Sequence, residues 1–182
     1  LFGDAGGFVN GGFGGNDVLN AGTGNDFLVG DGAKLEAIFQ NGSRFGGIGG
    51  ADTLNGDAGN DRLYGDVYTY LWDGAVGGND TLNGGDGDDD LIGDGSQLYT
   101  IGSRGGDDKL DGGAGNDVLY DYGGDNILRG GAGNDSLYGD SVGTTFHLDG
   151  GLGDDWYNIG FNTTVNITGD AGGIDRITAA DM

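Results

Sequence analysis

Residues 113–119 read Gly-Ala-Gly-Asn-Asp-Val-Leu, and residues 131–137 read Gly-Ala-Gly-Asn-Asp-Ser-Leu. An earlier copy, Gly-Thr-Gly-Asn-Asp-Phe-Leu, occupies residues 22–28. The underlying unit is nine residues long, and we number its positions one to nine with the aspartate at position six. Self-similarity at a fixed short period is the signature of a solenoid, so this repeat decides the fold.

Three positions of the unit hold nearly constant residue types. Position four is glycine in all eleven copies, at Gly15, Gly24, Gly50, Gly59, Gly78, Gly87, Gly106, Gly115, Gly124, Gly133 and Gly153. Position six holds Asn126 once and otherwise aspartate, at Asp17, Asp26, Asp52, Asp61, Asp80, Asp89, Asp108, Asp117, Asp135 and Asp155. Position eight is Leu19, Leu28, Leu54, Leu63, Leu82, Leu91, Leu110, Leu119, Leu128, Leu137 and finally Tyr157.

Each constant position has a physical reason. Glycine at position four suits a backbone with positive φ, or one packed too closely for a Cβ. Positions seven to nine form a short strand whose middle side chain points inward while its neighbours point outward. One turn cannot bury its leucine alone, but stacked turns can. The sequence therefore predicts an all-β solenoid with two short parallel sheets and a leucine-filled centre.

The composition excludes several other classes. The chain has 182 residues, of which 47 are glycine, and its formal net charge is −23. Glycine costs roughly 1 kcal/mol per helical position, so a helical protein is excluded. The absence of cysteine and the single histidine exclude a disulfide or Cys/His zinc framework. A surface this acidic is a poor partner for nucleic acid. No apolar run approaches the roughly 20 residues that span a bilayer.

The unit resembles the RTX, or haemolysin-type, calcium-binding nonapeptide repeat, over about residues 12–158. The resemblance implies a parallel β-roll, a right-handed β-solenoid with calcium ions in its turns. It also implies secretion, usually from a Gram-negative bacterium by type I export. Oxygen-rich turns suit a hard cation, and we expect several calcium ions, about six to eight.

The resemblance also implies a ligand set for each ion, shared by two turns on the same side. The first turn offers the carbonyls of positions two and four, the next offers those of positions one and three, and both offer the aspartate at position six. The implied aspartates are Asp17, Asp26, Asp52, Asp61, Asp80, Asp89, Asp108, Asp117, Asp135 and Asp155. The implied carbonyls are those of Gly22, Gly24, Gly47, Gly49, Asp57, Gly59, Ala75, Gly77, Gly85, Gly87, Ser103, Gly105, Gly113, Gly115, Gly130, Gly131, Ala132, Gly133, Gly150 and Leu152.

Five segments interrupt the repeat, and we call them slots: residues 3–11, 30–46, 65–74, 93–102 and 139–149. They begin with Gly-Asp, and most are close to one nonapeptide in length, so we interpret them as degenerate turns with a bulge. The slot at 30–46 is long enough for one turn with a loop or for two turns. We expect the Gly-Asp aspartates to lie outside the direct ligand shell. Residues 159–182 lose the pattern, with Asp175 out of register, and read as a β cap or the start of a next segment.

Counting each slot as one turn predicts which aspartates share an ion. The expected pairs are Asp26/Asp52, Asp61/Asp80, Asp89/Asp108, Asp108/Asn126, Asp117/Asp135 and Asp135/Asp155. The same count places successive slots on opposite sides of the roll. An aromatic surface combining Tyr70 with Tyr99 is then not expected, and each slot presents its own patch.

No catalytic site is expected. Residues 139–143 fit the Gly-x-Ser-x-Gly pattern, but no helix is predicted after the serine, as a nucleophile elbow needs. The chain opens in the middle of a repeat, which suggests a fragment. We therefore interpret it as a calcium-dependent structural module of a secreted or cell-surface bacterial protein, such as an adhesin, surface layer or filament. Its partners are calcium and neighbouring domains or copies. The alternative is the RTX tail of a secreted protease, lipase or alginate epimerase.

Overall fold

The structure, a computed structural model, contains only strands and turns in the residues that it describes, and no helix there could cross a membrane. The described residues are 1, 8–10, 14–32, 34–36, 38–40, 43–45, 47–67, 74–95, 104–140, 143–160, 163–169 and 171–180.

Most of the strands belong to two seven-stranded parallel sheets. Sheet I consists of β2 (Val18–Thr23), β7 (Thr53–Ala58), β9 (Thr81–Asp86), β11 (Lys109–Ala114), β13 (Asn126–Ala132), β15 (Thr145–Leu152) and β17 (Thr164–Ile167). Sheet II consists of β3 (Phe27–Val29), β8 (Arg62–Tyr64), β10 (Asp90–Ile92), β12 (Val118–Asp121), β14 (Ser136–Gly139), β16 (Trp156–Ile159) and β18 (Arg176–Ala179). The chain alternates between the sheets, which confirms the predicted parallel β-roll.

The core is a double row of position-eight side chains. Leucines of neighbouring strands pair directly, as Leu82 with Leu110 in sheet I and Leu91 with Leu119 in sheet II. The strictly alternating burial of the strands follows from the pleat, which sends successive side chains to opposite faces. The buried cluster comprises Leu19, Leu28, Leu54, Leu63, Leu82, Leu91, Leu110, Leu119, Leu128, Leu137, Phe146, Leu148 and Tyr157.

Both reasons expected for glycine at position four, a positive φ and close backbone packing, apply in the structure. Gly115 has φ of 143°, and a Cβ there would overlap the carbonyl group of Gly87 in the preceding turn. Gly106 is not in the positive-φ region, yet a Cβ on it would overlap the carbonyl of Gly78. The turns therefore stack backbone on backbone, and this close approach requires glycine.

Two rows of turns connect the sheets. The short edge carries the chain from sheet I to sheet II through residues 24–26, 59–61, 87–89, 115–117, 133–135 and 153–155. The loop edge carries it from sheet II back to sheet I. The slots that start at 30, 65, 93 and 139 all lie between a sheet II strand and the next sheet I strand, so all belong to the loop edge.

The expectation that each slot forms a turn of its own is wrong for the slots at 30–46, 65–74 and 93–102, and right for the slot at 139–149, which makes the loop-edge turn between Asp135 and Asp155. Asp80 bonds to Asp108, 28 residues later, whereas Asp117 bonds to Asp135 after only 18 residues. A slot of ten residues therefore lengthens one coil of the roll without adding a further turn. The predicted alternation of slots between opposite sides is wrong for the same reason.

The bases of the slots are held by single parallel bridges. Val67 bridges to Gly32 where the chain leaves sheet II, and Val76 bridges to Ile48 and Arg104 where it returns. The residues on either side of a slot thus complete one turn between them. The slot residues Tyr68, Tyr70, Trp72 and Tyr99, with their apolar neighbour Leu98, lie outside the described residues.

The slots at 3–11 and 30–46 contain the remaining strands. β1 (Phe8–Asn10) pairs in parallel with β4 (Lys34–Glu36), and β5 (Ile38–Gln40) pairs antiparallel with β6 (Ser43–Phe45). Asp17 bonds to Asp52 across 35 residues, which is one 18-residue coil plus the slot. The slot at 30–46 therefore contributes local strands without an additional coil.

The segment from 159 onward continues the two sheets. β17 pairs with β15 and β18 pairs with β16, both in parallel. These coils span 20 residues, as the bond from Asp155 to Asp175 shows. The nine-residue count is therefore lost here while the roll itself persists.

Truncating the core at the middle of sheet II should weaken the roll. Leu119 is fully buried, so we expect Leu119→Ala to lower the free energy of unfolding by about 2–5 kcal/mol. Val18→Ala, at a position 71% exposed, should change it by less than about 1 kcal/mol. Urea unfolding in saturating calcium measures both, and similar losses would contradict the assigned inward face.

Candidate metal sites

The position-six side chains form a hydrogen-bonded ladder along each edge. Each Oδ1 accepts the backbone N–H of the position-six residue in the preceding turn, as Asp117 Oδ1 does from Asp89 at 2.8 Å. The short-edge pairs are Asp26/Asp61, Asp61/Asp89, Asp89/Asp117, Asp117/Asp135, Asp135/Asp155 and Asp155/Asp175. The loop-edge pairs are Asp17/Asp52, Asp52/Asp80, Asp80/Asp108 and Asp108/Asn126.

These contacts confirm three of the predicted pairs and correct three others. Confirmed as neighbours are Asp117/Asp135, Asp135/Asp155 and Asp108/Asn126. Three predicted pairs are wrong because their members lie on opposite edges: Asp26/Asp52, Asp61/Asp80 and Asp89/Asp108. The error comes from counting slots as turns. Each turn too many in the count assigns every later aspartate to the opposite edge.

Asp175 was expected out of register, and this is also wrong. Its Oδ1 accepts the N–H of Asp155 at 2.9 Å, so it is the position-six residue of the last short-edge turn. Gly173, two residues before it, has φ of 91° and lies against the carbonyl of Gly153, as position four requires. One extra residue before β17 and one between β17 and β18 hid this copy from the nine-residue count.

In seven of the ladder residues the second carboxylate oxygen meets no donor in the described part of the chain. It is buried in Asp61, Asp80, Asp89, Asp108, Asp117, Asp135 and Asp155. Burying a carboxylate oxygen without a partner is strongly unfavourable, and buried charges are normally paired or coordinate metals. The row of position-six carboxylates is therefore suited to bind a row of cations.

Carbonyl oxygens converge on the same places. A Cβ on Gly112 would overlap Asp117 Oδ2, and the carbonyl oxygen of Gly130 in the next turn lies 2.6 Å from that point. The same relation holds at Gly130, with Asp135 Oδ2 and the carbonyl of Gly150. Each gap between short-edge turns therefore gathers a carboxylate oxygen and a carbonyl oxygen, a set that suits calcium.

On the loop edge the equivalent carbonyls come from the start of each slot. A Cβ on Gly65 would overlap Asp80 Oδ2 and the carbonyl oxygen of Gly93. At Gly30 the corresponding atoms are Asp52 Oδ2 and the carbonyl oxygen of Gly65. Sequence reasoning placed the Gly-Asp dipeptides at positions one and two but left Gly30, Gly65 and Gly93 out of the expected carbonyl ligands. The Gly-Asp dipeptide that opens each slot was the signal, because it continues directly from a strand that is in register.

The predicted loop-edge carbonyls occupy other places. The carbonyls of Gly47 and Ala75 accept the N–H groups of Val76 and Arg104, both at 3.0 Å, and so close the bases of the slots. Gly49, Gly77 and Gly105 lie against carboxylates of the Gly-Asp aspartates. Ser103 lies outside the described residues. The five described residues of this set all lie on the loop edge, between a sheet II strand and the next sheet I strand.

Burial raises the pKa of the position-six carboxyls in the ion-free roll. Desolvation raises the pKa of Asp117 to about 7, and those of Asp89 and Asp135 to about 6, against the opposing effect of the backbone hydrogen bond that each accepts. Neighbouring aspartates raise them further. The ionised form therefore needs a positive charge that the described residues of these turns do not supply.

The Gly-x-Ser-x-Gly segment has no helix after it. β15 begins at Thr145, directly beyond the segment, and His147 is exposed on that strand. Ser141 itself lies outside the described residues.

Comparison with known families matches four segments, residues 11–33, 46–67, 76–96 and 103–137, to the RTX calcium-binding nonapeptide repeat. The matched segments make up more than half of the chain. The chain belongs to the RTX calcium-binding nonapeptide repeat family. Comparison with curated proteins gives no match. Family membership makes this RTX roll a calcium-binding repeat module, and the donor-free carboxylate oxygens of its turns agree with that assignment.

Replacing one position-six aspartate by its amide should weaken calcium-dependent folding. Asp117→Asn keeps the Oδ1 acceptor for the Asp89 N–H and removes the charged oxygen, so we expect a loss of about 1.5–3 kcal/mol in calcium. Asp111→Asn, on the exposed face of β11, is the matched control and should change little. Urea unfolding in calcium compares them, and equal losses would contradict the position-six row.

Stability should depend on pH in opposite directions with and without calcium. A carboxyl whose pKa is raised by folding, from about 3.9 to about 6–7 here, binds more protons in the folded state. The ion-free roll should therefore lose stability as pH rises through this window. Calcium displaces those protons, so the loaded roll should gain stability over the same window. The far-UV β signal in chelator and the urea midpoint in calcium, each at about pH 5 and pH 7.5, test this, and changes in the same direction would contradict it.

Proposed function

We propose that this chain is a calcium-dependent folding module of a secreted or cell-surface protein, which folds outside the cell and holds neighbouring domains or chains in place. The observation on which this rests is the ladder of buried carboxylates whose second oxygens meet no donor in the described residues. Family membership identifies calcium as the ion. Five short-edge residues are of this kind: Asp61, Asp89, Asp117, Asp135 and Asp155.

The charge balance supports dependence on the ion. A net charge of −23 on 182 residues opposes compaction, and the core contributes only one large side chain per nonapeptide. Each calcium removes two negative charges where they are most crowded. The free energy of binding is then free energy of folding, because the site does not exist in the extended chain.

The same dependence suits export. Calcium is scarce in the cytosol and reaches the millimolar range of weak extracellular sites outside the cell. A chain that folds only with calcium stays extended during passage through a narrow type I export channel and folds after release. We therefore place the module outside a bacterial cell, on the surface or in the medium, as part of an adhesin, surface layer or filament.

The last coil supports a role in holding a neighbour. Ile177 pairs with Tyr157, which is fully buried, yet Ile177 itself is 60% exposed. Ile174 in the preceding turn is 84% exposed. Inward-facing Ile177 and turn residue Ile174 together offer an apolar surface on which a further coil, domain or copy can pack.

Folding should require calcium and should not be supported by magnesium alone. Far-UV circular dichroism in EDTA should show a coil spectrum, and calcium titration should convert it cooperatively to a β spectrum. Magnesium at equal ionic strength is the control, because it prefers a rigid octahedral site with retained waters. A β spectrum that chelation leaves unchanged would contradict the proposal.

A further inference from the structure

One loop-edge turn lacks the carboxylate at position six. Asn126 stands there, and its Oδ1 accepts the N–H of Asp108 at 2.7 Å, just as an aspartate would. Its side-chain amide nitrogen donates to the carbonyl of Gly123 in the same turn. A hydrogen-bond donor therefore occupies the place of the second carboxylate oxygen, and Asn126 retains the structural bond but offers no charged ligand.

The same turn has gained a carboxylate at position one. Asp121 stands where the preceding loop-edge turns have Gly65 and Gly93, and it is 1% exposed. At Gly65, a Cβ would overlap the Asp80 carboxylate and the Gly93 carbonyl oxygen; at Gly93, it would overlap the carboxylates of Asp108 and Asp121. The Asp121 side chain thus occupies the location that a backbone carbonyl occupies one coil earlier.

A third carboxylate reaches this place from the Gly-Asp dipeptide of the slot at 93–102. Asp94 is fully buried, and its Oδ1 accepts the N–H of Gly106 at 2.9 Å. One oxygen from each of Asp94, Asp108 and Asp121 lies within 4.8 Å of the other two. The Oδ2 atoms of all three are buried and face no donor in the described residues.

Two arrangements can stabilise three buried carboxyls: shared protons or a bound cation. The described basic side chains closest in sequence, Arg104 and Lys109, are both exposed, and neither forms an ion pair with the cluster. Burial raises the pKa of Asp94 to about 6 and those of Asp108 and Asp121 well above the usual range. The three converging carboxylate oxygens, with no basic side chain paired to them in the described residues, favour the bound cation.

We propose that Asp94, Asp108 and Asp121 form a calcium site at the base of the slot at 93–102, in which Asp121 supplies the carboxylate that Asn126 lacks. The inference rests on the proposed calcium-dependent function and deepens it. It makes Asp94 a direct ligand, where the sequence suggested an outer position for Gly-Asp aspartates. Because Asp94 is the second residue of the slot and Asp108 follows the slot, the ion ties the two ends of the inserted segment together.

The test compares calcium stoichiometry in variants that differ by single carboxylates. Asp121→Asn and Asp94→Asn should each bind one calcium fewer per chain than the unmodified protein. Asp140→Asn is the matched control, because Asp140 belongs to the next Gly-Asp dipeptide but is exposed. Equilibrium dialysis followed by elemental analysis gives the ion count, and circular dichroism verifies that each variant folds in calcium.

A rescue variant separates ligation from general stability. Asp121→Asn combined with Asn126→Asp returns the carboxylate to position six, and we expect it to recover the lost ion. Unchanged stoichiometry and affinity in Asp121→Asn would overturn the site, as would loss of the ion that Asn126→Asp fails to restore. If the unmodified chain binds no calcium at all, the proposed function fails with it, and the two failures are thereby distinguished.

Discussion

The two oxygens of the position-six carboxylate have separate tasks, and the rest of the roll depends on that separation. Oδ1 accepts a backbone N–H from the preceding turn and sets the spacing of the coils, as between Asp89 and Asp117. Oδ2 is buried beside a carbonyl oxygen and has no donor in the described residues. The first oxygen favours stacking and the second opposes it until a cation arrives. A core of one leucine per nonapeptide is small enough that this opposition decides whether the chain folds.

The fold could be predicted from the sequence because its rules are local. Leu119 faces inward and Gly115 permits close stacking for reasons that a nine-residue window already contains. The position-six residues could likewise be recognised individually. Their partners could not, because partnership depends on how many residues separate two turns in space. A slot of ten residues resembles a nonapeptide in length, and length alone does not distinguish an inserted segment from a turn.

The errors at the end of the chain have a related origin. Asp175 was dismissed because it lies 20 residues after Asp155, although its hydrogen bond to that residue is the one seen throughout the ladder. Asp121 was passed over because it stands at position one, where the motif expects glycine. In both cases the three-dimensional position of the oxygen is preserved while its sequence position has moved. A search for the sequence period detects only the position of a residue along the chain. A cation responds only to the position of the oxygen in space.

The placement of all slots on one edge follows from this division of tasks. An insertion changes the distance along the chain but leaves the ladder intact only if it lies where extra backbone can leave and re-enter the same turn. The short edge, with six uninterrupted gaps from Asp26 to Asp175, holds the stack together along its whole length. The loop-edge ladder ends at Phe146, which pairs with Asn126 and packs against Gly139, so an apolar side chain occupies the position of the next carboxylate. Stacking on the loop edge therefore passes from carboxylates to hydrophobic contact while the short edge keeps its carboxylates. One continuous row of hydrogen-bonded turns holds the roll together, and this leaves the opposite row free to accept inserted segments.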